Sequence, residues 1–242
     1  MSWQSEELVA FVAARFRELG DPEVAAGQAA YMYGKRFQAM YPGESGDPHY
    51  GVKSAGIKAV RREVRERFPI DTADAYLTAV TTLWELPHRE EKYLAVGVAQ
   101  SSTDLISIDR VPLYRRLVVE GAWWDLVDGV AANCVGGVLL RRREVMKPVI
   151  ERWIDDEDLW VRRTALLAHL THKAATDEAQ LFDHCRRRMH EKEFFIRKAI
   201  GWVLRQYARS APDAVRAFAL EHRDQMSRLS VREATKHLDV AP

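Results

Sequence analysis

The segment Leu159-Trp160-Val161-Arg162-Arg163 returns 35 residues later as Phe194-Phe195-Ile196-Arg197-Lys198. Trp123-Trp124 falls 36 residues before Leu159-Trp160, and Leu94-Ala95-Val96 falls 70 before Thr164-Ala165-Leu166. The stretches around these segments carry apolar residues at helical spacing, so the unit that recurs is helical. A unit this short cannot bury its apolar face alone and must stack on its neighbour, which restricts the chain to an array of helix pairs. The period of about 35–40 residues matches neither HEAT nor TPR consensus closely. The expected fold is therefore all-α, a degenerate and curved α-solenoid whose concave face is a binding surface.

Local signals agree. Residues 3–19 place Leu8, Phe11, Val12 and Phe16 on a helical period. Asp21-Pro22-Glu23 reads as an N-cap with Pro in the first turn, opening a second helix through about Phe37. Residues 42–51 (PGESGDPHYG) form the one clear loop, an insertion in what is otherwise a single domain over 1–242. Further helix starts are expected at Asp71, at Pro87 and at Ser210, the last with Pro212 and Asp213 in its first turn. No segment alternates with the period of two that a half-buried strand needs.

Composition excludes several classes. With 47% apolar residues in 242, the chain is neither disordered nor short of a core. No apolar run approaches the roughly 18–20 residues that span a bilayer, and the start, Met1-Ser2-Trp3-Gln4-Ser5-Glu6-Glu7, lacks the order of a secretory signal. Cys134 and Cys185 cannot make a disulfide framework, which fits a reducing, cytoplasmic setting. Lys and Arg total 36 against 35 Asp and Glu, so net charge announces no nucleic-acid partner; a DNA reading must rest on where charges sit. Cations cluster at Arg61, Arg62, Arg65 and Arg67, at Arg141–Arg143 with Lys147, and at Arg186–Arg188, while acids gather at 155–158. There is no GxGxxG, P-loop, HExxH or CxxC, so no cofactor or metal is expected. His169 and His172 share a helix face without a third ligand at metal spacing, and Cys185 has no evident base to activate it.

Functional candidates are the residues that core stripes leave over. Trp123, Leu126, Val127 and Val130 form an i, i+3, i+4, i+7 stripe, which leaves Trp124 and Asp128 together on another face. The alternative is that Trp124 packs on a neighbouring helix and Asp128 pairs with an arginine. In the helix from Phe194 to Arg209, the stripe Ile196, Ala199, Ile200, Val203 and Tyr207 is core. A second stripe, Lys198, Trp202, Arg205 and Arg209, sets cations around an aromatic platform, a pattern suited to a phosphate backbone or simply to a solvated basic face. Arg162 has an i−4 partner in Asp158. Arg163 emerges among Leu159, Trp160, Leu166 and Leu167, as a phosphate or carboxylate ligand would; a buried pair with a carboxylate such as Asp128 is the alternative.

The segments 123–128 (WWDLVD), 159–163 (LWVRR), 194–205 (FFIRKAIGWVLR) and 230–237 (SVREATKH), with 83–90 (LWELPHRE) and Tyr31-Met32, resemble the AlkD-type family of DNA alkylation-repair glycosylases. The resemblance runs in order from about Tyr31 to Leu238. It implies a curved array of HEAT-like repeats, a monomer without cofactor or metal, and excision of N3- and N7-alkylated purines from double-stranded DNA without base flipping. It places the catalytic carboxylate on Asp128, the paired tryptophans on Trp124 and Trp202, the lesion-proximal DNA-contacting arginine on Arg163 and the N-terminal tyrosine on Tyr31. Lys198, Arg205 and Arg209 join these as DNA contacts through the basic stripe. Near 40–58 the chain departs from the family: the loop is longer, Ala55 stands where Pro is usual, and Ile57 stands where a basic residue is common, with Lys53 and Lys58 nearby. A family member that keeps the fold and loses the chemistry, binding DNA structures or a protein partner, is the competing expectation.

Overall fold

The computed structural model describes residues 4–238, and among them the chain is helical with no strand. It divides into two compact units, Met1–Leu105 and Ile106–Pro242.

The first unit holds α1 (Ser5–Leu19), α2 (Pro22–Met32), α3 (Lys35–Met40), α4 (Ser54–Arg67), α5 (Ala73–Trp84) and α6 (Arg89–Ser101). The expected start of α1 at residue 3 lies outside the described residues. Leu8, Val12 and Phe16 are fully buried where α1 packs on α4 and α5. Asp21 caps α2 by accepting the backbone N–H groups of Glu23 and Val24. The second helix ends at Met32 rather than Phe37. Gly34 takes an extended backbone there, and a separate short helix begins at Lys35; glycine is the residue least costly to release from a helix. Thr72 caps α5 where Asp71 was the expected start, and α6 opens behind His88 rather than Pro87.

The 42–51 loop is tied down by the first turn of α6. The fully buried Glu90 carboxylate accepts N–H groups from Tyr50, Gly51 and Val52 at 3.1, 2.9 and 3.0 Å. Its charge also sits at the positive end of the α6 dipole. Arg89 and Lys92 both pair with Asp47, while the Tyr50 ring stacks on His88 with centroids 3.8 Å apart. Gly51 has φ +85°, and a Cβ there would fall 1.9 Å from the Asp21 carbonyl oxygen, so only glycine closes this loop.

In the second unit α7 (Val111–Gly121) leads into one continuous helical run: α8 (Trp124–Gly129), a π-helical stretch Val130–Val135, and α9 (Gly136–Arg141). Then follow α10 (Arg143–Trp153), α11 (Leu159–Leu167), α12 (Glu178–Arg188), α13 (Phe194–Tyr207), α14 (Pro212–Glu221) and α15 (Arg228–Ala234). Helices α8, α11, α13 and α15 form a row in which each packs on the next. The repeat seen in the sequence is the spacing of this row: Asp128 pairs with Arg163 and Lys198 with Glu233, each across 35 residues. Stacked helices of this kind are those of an α-solenoid.

Trp123, Trp160 and Phe195, one from each of three successive repeats, meet ring to ring with centroids 4.9–5.8 Å apart. Trp123, Leu126, Val127 and Val130 are buried as the stripe requires. On α13 the stripe holds for Ile196, Ala199, Ile200 and Val203, but Tyr207 is only half-buried and donates its hydroxyl to Glu178. The α13 neighbours bury Phe195 and Leu204 as well. Arg162 does not pair with Asp158. Asp158 caps α11, accepting from Trp160 and Val161, and Arg162 instead reaches Glu191 and the carbonyls of Asp156 and Glu157. A helix N-cap uses up the carboxylate that i−4 spacing had offered. Likewise Ala211, not Ser210, precedes α14, with Pro212 at its first position.

Candidate active site

Trp124 opens α8 and Asp128 stands one turn later, both half-buried beside the fully buried Leu126 and Val127. An indole and a carboxylate at i and i+4 share the face that the core does not take. Directly after Gly129 the helix widens into the π-helical stretch, a form that is rare and often found at functional sites.

Asp128 meets Arg163 from α11. The guanidinium donates Nε–H to one carboxylate oxygen at 2.7 Å and Nη2–H to the other at 2.8 Å. Its Nη1 donates to the Phe195 carbonyl of α13, so one buried side chain joins three successive repeats. Arg163 is 3% exposed and Asp128 15%. The pair seen is thus the carboxylate partnership, and it and the Phe195 carbonyl take three of the five guanidinium N–H donors. Bidentate Arg–carboxylate geometry is the strongest form of such a contact, and it occupies about two of roughly four carboxylate lone-pair sites. Burial raises the Asp128 carboxyl above its ordinary value, while the Arg163 hydrogen bonds and charge pull it down.

On α13, Lys198 and Arg205 flank Trp202. Both donate to the same carboxylate, Glu233 of α15, Lys198 at 2.7 Å. Those two cations hold the Glu233 carboxyl below its usual range. The basic stripe is thereby neutralised in part, with two positive charges and one negative around a half-buried Trp202. Arg209 is exposed beyond the end of α13. Tyr31 is 77% exposed on α2, in the first unit. Glu233 was not singled out in the sequence, although its 35-residue offset from Lys198 marks it as the next member of the series Asp128, Arg163, Lys198.

A family model described as DNA alkylation repair enzyme matches residues 12–238. The chain belongs to that family. Its fold is similar to a solved structure titled "Predicted DNA alkylation repair enzyme from Enterococcus faecalis", at 26% identity and a TM-score of 0.79, covering 92% of this chain and 98% of that one. No curated protein matches the sequence significantly. Membership in a DNA repair family makes the protein one that acts on DNA, and no described helix is long and apolar enough to cross a membrane.

Other reactive groups in this repair-family member lie in packed regions. Cys134 and Cys185 are fully buried, and burial pushes the Cys134 thiol up to about 12 and that of Cys185 higher still. His169, His172 and His184 form a buried cluster with ring centroids 5.5 and 6.0 Å apart. His172 reaches the Gly136 carbonyl and His184 reaches Glu151. Among the described residues no group of three or more His, Cys, Asp or Glu is placed to hold a metal ion.

Proposed function

We propose that the protein is a DNA glycosylase that hydrolyses the N-glycosidic bond of positively charged N3- and N7-alkylated purines in double-stranded DNA. The observation that carries this reading is Asp128, a half-buried carboxylate beside an indole, held by a buried arginine and raised by its surroundings.

Alkylation at N3 or N7 makes the purine a cation, so it departs as a neutral base without a proton from the enzyme. The demand falls on the deoxyribose, which becomes oxocarbenium-like as the bond breaks. A carboxylate near C1′ stabilises that charge and accepts a proton from the attacking water. Asp128 supplies it, and the lone pairs that Arg163 leaves free receive the water. Arg163 acts here as a positioning residue: its bidentate grip fixes the plane of the carboxylate. The indole faces of Trp124 and Trp202 attract a cationic sugar as they attract other cations. Lys198, Arg205 and Arg209 take phosphates, and Tyr31 contacts DNA from the first unit. Because the charge of the adduct drives departure, the lesion stays in the stack and needs no flipping into a pocket. A half-buried helix face bearing Trp124 and Asp128 off the core stripe suits approach from the backbone side.

One observation favours a second reading, a helical DNA-binding scaffold without chemistry: both Asp128 oxygens are already committed to Arg163. Release of free base from a duplex carrying 7-methylguanine decides between them. The glycosylase reading expects release by the parent protein and a loss on the order of a hundredfold or more in Asp128→Asn, with duplex binding nearly intact. Equal release by the mutant removes Asp128 from the chemistry. No release with retained binding establishes the scaffold.

A further inference from the structure

In the second unit a basic groove lies along α15 and the turn before it, away from Trp124 and Asp128. It encloses about 780 Å³, and its lining includes Arg223, Arg228, Arg232 and Lys236, with Asp224 as the acid among them. All four cations are solvent-accessible, and none forms an ion pair among the described residues. Neighbouring arginines behave otherwise: Arg162, Arg163, Arg187, Arg188, Arg205 and Arg216 each hold a carboxylate. Four cations against one acid, Asp224, make a positively charged groove, and such a concave charged surface attracts an anionic partner.

We propose that this groove holds the phosphate backbone of the duplex on one side of the lesion. The inference rests on the DNA reading of the Asp128 face and extends its footprint. Three observations favour a nucleic-acid backbone as the occupant. Arg228 and Arg232 stand four residues apart on α15, about 6 Å along its axis, and Lys236 follows in the turn after the helix, so the cations are spread out rather than gathered at a point. The row and the α13 stripe share α15, since Glu233, next to Arg232 in the chain, is the carboxylate that bridges Lys198 and Arg205. The distance also fits. α15 is three packed-helix steps from α8, through α11 and α13, and at roughly 8–10 Å a step that is about 24–30 Å. At ~3.4 Å per base pair this span is about 7–9 base pairs, within one turn of a duplex lying along the row.

The test uses the full chain and undamaged duplexes, so that base release is not its readout. Binding is followed by fluorescence anisotropy over a salt series for the parent and for Arg228→Ser with Arg232→Ser, on a 10-base-pair and a 30-base-pair duplex. On the long duplex the double variant is expected to bind on the order of tenfold more weakly at 0.1 M salt. Its log–log salt slope should be shallower by about two, one unit for each phosphate that is no longer neutralised. The short duplex, roughly 34 Å long, just spans the row from α8 to the groove and cannot extend past both ends of it, so it should show a loss no larger than that of the long one. Both side chains reach solvent, so the variant folds; a circular dichroism melt superimposing on the parent's checks that. Affinity and slope equal to the parent on both duplexes overturn the proposal and leave the groove to an acidic protein. Should base release fail while the double variant still weakens binding, the glycosylase reading falls and the groove stands. Base release by the parent with unaltered binding by the double variant does the reverse: the glycosylase reading stands and the groove falls.

Discussion

At the scale of single residues, the Asp128–Arg163 pair sets both chemistry and stability. A catalytic carboxylate must be ionised, so the rate falls as pH drops through its folded pKa. Because burial raises that value, the acid limb of base release is expected above the range of an ordinary aspartate. Arg163 is the group holding it down, so Arg163→Gln should move the limb further up; single-turnover release against pH reads this directly. A limb that stays in place would show that Asp128 does not govern the rate. The same arginine is 3% exposed against a carboxylate 15% exposed. Its loss leaves a largely buried charge unpaired, at a cost of about 3 kcal/mol, whereas Arg163→Leu combined with Asp128→Asn should recover most of it. Urea denaturation of the two single variants and the double closes that cycle. The sequence offered two partners for Arg163, phosphate and carboxylate, and spacing alone could not choose because the choice depends on a helix 35 residues away.

At the scale of elements, α13 and α15 meet with almost no gap. A Cβ on Gly201 would lie 2.5 Å from the Glu233 Cβ and 2.9 Å from the Ser230 carbonyl oxygen. Gly201→Ala must therefore push the two helices apart, for about 1–3 kcal/mol of stability. It should also weaken duplex binding, because Glu233 sets the positions of Lys198 and Arg205. An alanine variant as stable as the parent would mean that the helices part at no cost. Helix identity and most core stripes were legible in periodicity, since burial of one face demands it. Ends were less so. Asp158 could cap a helix or pair with Arg162, and capping won. The break at Gly34 and the π-helical stretch at Val130–Val135 leave no mark in an apolar pattern of period 3.6.

At the scale of the whole molecule, stability should depend on pH in two acid steps. His169, His172 and His184 are buried in the second unit, and burial is the first cause of a lowered pKa in each. Glu151, Asp177 and Asp183 draw against Arg143 and Arg187 around them without reversing that direction. Folded histidines that resist protonation bind fewer protons than unfolded ones, so stability is lost as pH falls below about 6.5 towards their folded values. Glu63, Glu151, Asp155, Asp177 and Glu233 have lowered pKa values. Their contribution persists above the unfolded value near 4 and disappears as pH drops through the folded ones. Thermal melts from pH 8 to pH 3 should show both steps, and His169→Leu should flatten the first. A melt temperature unchanged between pH 7 and pH 5 would contradict the histidine step.

The sequence by itself determined that the chain is helical and that its helices recur about every 35 residues, and it singled out Trp124, Asp128 and Trp202 as lying off the core stripes, because periodicity is a local consequence of side-chain chemistry. Its motifs also pointed to the DNA alkylation repair family to which the chain belongs. Only the tertiary structure decided which partners the charged groups take: Arg163 with Asp128, Lys198 and Arg205 with Glu233, and Glu90 with backbone N–H groups at the end of the 42–51 loop. It also gathered four cations into one groove along α15. Partner choice among charged groups depends on distance and desolvation between segments far apart in the chain, and these arise only once the repeats have stacked.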